Sequence, residues 1–207
     1  MAGTAASTDS PTATRRPGGV LVSFLPWIIF DVIAGPSTWK LAAFAALVST
    51  IALNAPDFRR GAVKILNIAG LLFFAVISIL ALVLDRQDLV WLETYAQPLS
   101  NGVIALVALG SLAFTPFTEQ YARESVPSEL WHTEAFHRTN QVLTAVWGVL
   151  FLIITVLGFI ALGATGSTAD WLNWVIPAIL LVLALRFTRW YPSQVHARAA
   201  RGHTVLR

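Results

Sequence analysis

The sequence predicts an all-α, polytopic membrane protein: a bundle of six transmembrane helices with both termini in the cytoplasm. Three observations carry that prediction. First, 56% of the 207 residues are hydrophobic and only 12% are charged, with a mean hydropathy of +0.68. A soluble domain carries about 25% charge. Half that leaves too little polar surface to solvate a globule, so lipid must be the solvent for much of the exterior. Second, apolar windows recur along the whole chain. Third, lysine and arginine fall on alternate sides of those windows.

The first nineteen residues, MAGTAASTDSPTATRRPGG, are small and polar and include proline and glycine. They are expected to form a disordered cytoplasmic tail. Arg15 and Arg16 ahead of an apolar run imitate a signal peptide, but Asp31 interrupts the run and a second window follows almost at once. A retained first helix is therefore expected. The windows lie at residues 20–35, 39–54, 65–84, 99–117, 141–162 and 171–187. A bilayer core of about 30 Å takes about 20 helical residues, which the third, fifth and sixth windows satisfy. The first two are short and joined by GPST, so they read as a helical hairpin; a re-entrant pair there would leave five spans. The fourth extends back to Leu89 or Trp91, with Pro98 as a kink or as the start of its membrane-spanning part. Residues 191–207 are expected to form a basic cytoplasmic tail.

The basic residues test this count independently. With the N-terminus inside, the internal segments hold twelve lysines and arginines, and the external turns hold only Lys40 and Arg86. Adding or removing one span would move every later loop to the other side and destroy the asymmetry. Trp39, Trp91, Trp171 and Trp174 fall at the expected external helix ends, and Trp190 at an internal one, where indoles favour the interface. No fixed-period repeat is apparent.

Much chemistry is excluded. The chain has no cysteine, so disulfides, thiolate catalysis and Cys-ligated metals are ruled out. The net charge of +3 comes from residues scattered at helix ends rather than gathered on one face, which does not suit a nucleic-acid partner. All four histidines lie outside the windows, so two facing helices cannot ligate a haem, and no P-loop, HExxH or GxSxG pattern occurs. No cofactor is expected. Asp31 is the single acid in an apolar window, one turn from the external end of the first helix, where a carboxylate reaches headgroup water. Ser49, Thr50, Asn54, Asn67, Ser78, Ser111 and Thr115 are expected to join helices to one another.

The one long charged stretch is TPFTEQYARESVPSELWHTEAFHRTN, residues 115–140. Its glutamates at 119, 124, 129 and 134 step by about 140° on a helix and share no face. The pattern predicts a short continuation of the fourth helix through FTEQYARE, a turn, and a helix start with Pro127 in its first position. Thr133 is then the N-cap of a helix that runs into the fifth span, with Glu134 in its first turn. On that helix His137, Asn140, Gln141, Thr144 and Gly148 form a polar stripe. A matching stripe of Gly110, Ser111, Thr115, Thr118 and Glu119 ends the fourth helix, and the two together suggest an inward-facing polar cleft. The competing reading is a solvated exit from the bilayer, with pairs such as Glu119–Arg123 worth only tenths of a kcal/mol. Glu124 belongs to the same charged segment, and Trp131 with Phe136 is expected in the interface plane. A zinc site from His132, Glu134 and His137 is disfavoured, because residues five apart do not face one way on a helix.

The order of these features resembles the bacterial intracellular septation protein A family of small polytopic inner-membrane proteins. The resemblance covers about residues 23–194: FLPWIIF in the first helix, DFRRGAVKI between the second and third, LVWLETYAQPLSNGVIAL around the fourth, then Pro116, Pro127, Trp131, Asn140 and a terminal RWYPSQ. It implies residence in the bacterial inner membrane and cell-envelope or septation upkeep through membrane protein partners, with no catalytic residues to carry over. Two other readings stand beside it. One is a small-solute transporter or channel using the cleft between the fourth and fifth helices, with Asp31 at its far end. The other is a membrane-embedded enzyme acting on a lipid or prenyl chain, with Glu119, Glu124 or His137 moving the proton. Oligomeric state is left open.

Overall fold

A computed structural model describes residues 19–204 except residue 36, with the side chains of residues 19, 21, 86 and 196–204 set aside. The predicted tail over residues 1–18 lies outside the described residues. Every regular element among those described is helical. They are α1 (Gly19–Ile33), α2 (Trp39–Arg60), α3 (Ile65–Val83), α4 (Arg86–Ser111), α5 (Phe117–Ala122), α6 (Glu134–Ala161), α7 (Ser167–Asp170) and α8 (Ile176–Thr204). A 3₁₀ turn covers Ser128–Leu130, and a π-helical stretch, Trp171–Val175, joins α7 to α8.

Among the described residues, four helical segments are long and apolar enough to cross a membrane: Trp39–Arg60, Ile65–Val83, Glu134–Ala161 and Ser167–Val195. The α1 helix is a shorter apolar element. Although α4 has 26 residues, Glu93, Thr94, Gln97, Ser100 and Asn101 make its first half polar.

Several boundaries differ from the sequence expectation. The second helix continues through Pro56 to Arg60, although that proline removes one backbone hydrogen bond and crowds the carbonyl one turn before it. Gly61, at φ 69°, then closes it in a left-handed cap that donates to Phe58 and lets Ala62 N bond Asp57 O. The fourth helix stops at Ser111 rather than near 117. Residues 112–116 turn, and Phe117 opens a separate short helix, so FTEQYARE does not continue α4. Pro127 precedes a 3₁₀ turn rather than starting an α-helix. Thr133 does cap α6, its hydroxyl accepting from Phe136 N at 3.3 Å. The last helix runs on to Thr204, with no break where the basic tail was expected to begin.

The core is layered by aromatic rings. Trp27 and Phe30 of α1 pack on Phe73 and Phe74 of α3 with centroids 4.9 to 6.1 Å apart. On its other side, Phe24 of α1 stacks on Trp147 and Phe151 of α6 at 5.7 and 5.6 Å. The most extensive helix pair is α4 with α6. A Cβ on Gly148 would sit 2.6 Å from Leu109 Cδ2 and 3.3 Å from the Leu109 backbone nitrogen. The glycine is what permits that closeness, since helices in lipid gain contact mainly by van der Waals approach. By contrast α8 is peripheral: 11% of its apolar window is buried within the protein, against 50% for α6.

The connection from α2 to α3 and the segment from 112 to 133 meet at one end of the bundle. Lys64 Nζ reaches Glu124 Oε1 at 2.6 Å, and Ile65 N donates to Gln120 Oε1 at 2.9 Å.

Gly148→Ala is expected to lower the thermal midpoint in detergent, by an overpacking cost of about 1–3 kcal/mol. Gly110→Ala, where a Cβ meets nothing within 4 Å, is expected to leave it unchanged or slightly raised. Equal midpoints for the two variants would refute the close-approach account.

Candidate functional site

Two polar constellations stand out in this otherwise apolar bundle, one at each end. The first is built around α5. That helix follows Pro116 and is anchored at once: Phe117 N donates to Ser111 Oγ at 3.0 Å, while Ser111 Oγ donates to Ala108 O at 2.7 Å. One residue on, Thr118 Oγ1 lies 2.8 Å from Thr144 Oγ1 and donates to Asn140 O at 2.9 Å. Asn140 turns its amide back to Phe136 O at 2.9 Å. Glu119, 3% exposed, uses both oxygens: Oε1 accepts from Arg123 Nη2 at 2.6 Å and Oε2 meets His137 Nδ1 at 2.9 Å. His137 Nε2 lies 3.0 Å from the Gln141 amide nitrogen. A neutral imidazole carrying its proton on Nδ1 satisfies both contacts, donating to Glu119 and accepting from Gln141.

The polar stripes of the fourth and fifth predicted spans therefore do meet, but mostly through α5 and with their own side chains filling the seam. Thr144 is 0% exposed and Asn140 3%. The inward-facing cleft expected there is a closed contact, because each side's donors are satisfied by the other side's acceptors. Thr115 sits in the preceding turn, half-buried and apart from this network.

The same helix reaches the opposite way. Lys64 has a side chain only 9% exposed and pairs with Asp57 at 3.2 Å and Glu124 at 2.6 Å. Its ammonium also stands 4.9 Å over the Tyr121 ring. Burial pushes the Tyr121 phenol well above its usual range; the Ser23 hydroxyl opposes the shift, and the Glu124 and Asp57 carboxylates add to it. Arg123 lies 5.3 Å over the Trp131 ring, and Trp131 Nε1 donates to Val126 O at 2.9 Å. Trp131 thus packs under the loop. His132, Glu129, Glu134 and Arg138 are exposed on the outer surface. Among the described residues no three His, Asp or Glu side chains converge on a point that could hold a metal ion.

The second constellation surrounds Asp31. The sequence places this carboxylate near headgroup water; in the fold it turns inward to α4. Oδ1 accepts from Ser100 Oγ at 2.8 Å and Oδ2 from Asn101 Nδ2 at 3.3 Å. Gln97 Nε2 reaches Asp31 O at 3.5 Å. Asp31 borders a cavity of about 230 Å³ between α1 and α8, floored by Ile104 of α4 and by Trp147, Phe151 and Ile154 of α6. A smaller cavity of about 20 Å³ adjoins it and shares Gln97, Asn101 and Asn173. Neither cavity borders Glu119 or His137.

Sequence reasoning missed Gln97, Ser100, Asn101 and Lys64. The first three stand three and four residues apart around the start of the fourth apolar window, so they share one helix face. That spacing could have marked α4 as the partner of Asp31. Lys64 had no such signal, because its partners lie seven and sixty residues away in the chain.

No protein-family model, characterised protein or solved structure matches the chain. The chain's own geometry is what bears on its function.

Removing both carboxylates around Lys64 (Asp57→Asn with Glu124→Gln) is expected to destabilise the protein more than Lys64→Met. The double change leaves a buried cation unpaired, whereas methionine keeps the packed stem and removes the charge. Thermal midpoints in one detergent check the order, and the reverse order would refute it.

Proposed function

We propose that this is a six-crossing, non-enzymatic protein of the bacterial inner membrane, with both ends in the cytoplasm. It acts by association with other membrane proteins of the envelope or division machinery. The observation that carries this reading is the closed α5 network. Glu119, with its Arg123 and His137 contacts, and Glu124, with Lys64, are consumed in holding the segment against α3 and α6. They border neither cavity, so no substrate or solute has a route to them through either. What is left for chemistry at that end is an exposed surface on a fixed base, suited to contact with a partner.

The crossing count is supported by two independent features. Four helical segments have the length and apolarity to span, and the shorter α1 and the more polar α4 pack as integral members of the same bundle. The basic connection at 59–64 and the 115–140 segment meet at one end, as alternation of sides requires. The inner-membrane location and the septation role rest on the sequence resemblance over about residues 23–194. The closed seam between α4, α5 and α6 argues against the cleft-based transporter. The engagement of Glu119 by Arg123 and His137 argues against a lipid- or prenyl-acting enzyme that uses it as a free acid or base.

Two measurements test the proposal. Reporter fusions at residues 62 and 128 and at the C-terminus are expected to report the cytoplasm, and fusions at 85 and 165 the outside; a split between 62 and 128 refutes the topology. A photocrosslinking residue at Glu129 or Arg138 is expected to give one discrete adduct with a membrane protein in living cells. Charge reversal at Glu129 and Glu134 should weaken that adduct at least several-fold. An absence of any discrete adduct, together with stoichiometrically partner-free protein from mild detergent, would overturn the association reading.

A further inference from the structure

The cavity between α1 and α8 has a chemistry that the association reading does not use. Its walls are apolar and aromatic: Phe24 and Trp27 from α1, Trp147 and Phe151 from α6, Trp174 and Leu181 from the last rod. Its polar groups are few: Gln97 and Asn101 hydrogen-bond Asp31, and Asn173 belongs to the same lining. Asp31 is the sole ionisable residue in that lining, so no lysine, arginine or histidine of the wall answers its charge. Ser100 and Asn101 each donate one hydrogen bond to it. A carboxylate offers about four acceptor sites, so capacity is left over towards the cavity.

The wall is built for this on both sides. On α4 the three-and-four spacing of Gln97, Ser100 and Asn101 turns all three towards α1. Opposite, the rod departs from α-helical winding at Trp171–Val175, and that π-helical stretch contributes both Asn173 and Trp174 to the lining. Single π-helical turns within a helix are frequent at functional sites. Ile28 and Val32 of that lining are exposed, so the cavity opens along the apolar flank of α1.

We propose that this cavity binds a hydrophobic amine from the membrane phase, its cationic nitrogen on Asp31 and its apolar body among the aromatic rings. An unanswered carboxylate in an apolar wall selects a cation that brings an N–H donor. The aromatic residues of the lining, Trp174 among them, add attraction for an organic cation that a hydrocarbon would not feel. Lateral access selects molecules that already partition into the bilayer. The proposal is independent of the cytoplasmic surface and of any partner.

The test uses the full chain in phosphatidylcholine nanodiscs and equilibrium dialysis of radiolabelled 2-naphthylmethylamine, with 2-naphthylmethanol as its neutral counterpart and empty discs subtracted. Saturable one-to-one binding of the amine is expected, at least tenfold tighter than the alcohol. Asp31→Asn should weaken the amine at least tenfold and leave the alcohol unchanged. Ala178→Trp, which fills the cavity from α8 and leaves Asp31 intact, should abolish both. Phosphatidylethanolamine added to the discs competes if the bound amine is a lipid headgroup, and leaves the isotherm unchanged if it is a free amine; both put a protonated amine on Asp31. Equal affinity for amine and alcohol, or amine binding that survives Ala178→Trp, overturns the proposal. Should Asp31→Asn fail to fold, the Ala178→Trp result and the amine-to-alcohol ratio decide it.

Discussion

Most of this molecule's surface has no water to bond with, and that scarcity organises everything else. In a hydrocarbon medium each polar side chain on a helix must find its partner inside the protein or on its own backbone. The simplest solution appears on α2, where Thr50 donates to Ala46 O at 2.8 Å and Asn54 to Thr50 O at 2.9 Å. Such bonds spend the polarity locally and leave the helix free to pack. Thr155 on α6 does the same with Phe151 O at 2.8 Å. The groups that cannot be satisfied within one helix mostly collect at the two ends of the bundle; Asn67 and Ser78 of α3 are buried exceptions whose side chains make no hydrogen bond.

At one end the collector is α5, six residues long. Too short to be stable by itself, it is held because successive side chains face different neighbours. Thr118 and Glu119 go to α6, Gln120 to the start of α3, and Tyr121 lies beneath Lys64 near α1. The charged segment is thus less a solvated loop than a plug that closes the bundle. Its individual ion pairs are modest where a partner is exposed, as Arg123 is. The structural weight lies in the buried hydrogen bonds and in the aromatic packing beneath them.

At the other end the bundle is left open by design of its packing. The pair α4 and α6 is drawn tight by Gly148 against Leu109, and α1 is wedged between α3 and α6 by stacked rings. The α8 rod touches α6 along part of its length, held by Trp147 Nε1 donating to Thr188 Oγ1 at 3.0 Å. Because α1 and α8 lean on α6 from different sides, the space between them is not filled. Asp31 stands at that space with α4 polar groups behind it. A rigid seam and an open pocket thereby share one helix, Thr144 and Gly148 facing the seam while Trp147 and Phe151 line the pocket.

Membrane character, helical class and most helix positions were legible in the sequence, because each depends on a local property. A run of apolar residues, a threonine before a glutamate, or a basic pair after a span acts within one or two turns of chain. The Thr133 cap and the meeting of the Thr118–Glu119 and His137–Thr144 stripes could be anticipated for that reason. The stop of α4 at Ser111 and the continuation of α2 to Arg60 could not, since a break or its absence depends on what the neighbouring helices satisfy. The same holds for Lys64, held between the end of α2 and a segment sixty residues on, and for Asp31, which a linear reading assigns to the headgroups. Only tertiary packing decides whether a carboxylate one turn from a helix end faces water or a neighbour's amide. Hydrophobicity is summed along the chain, but hydrogen-bond partnership is settled across it.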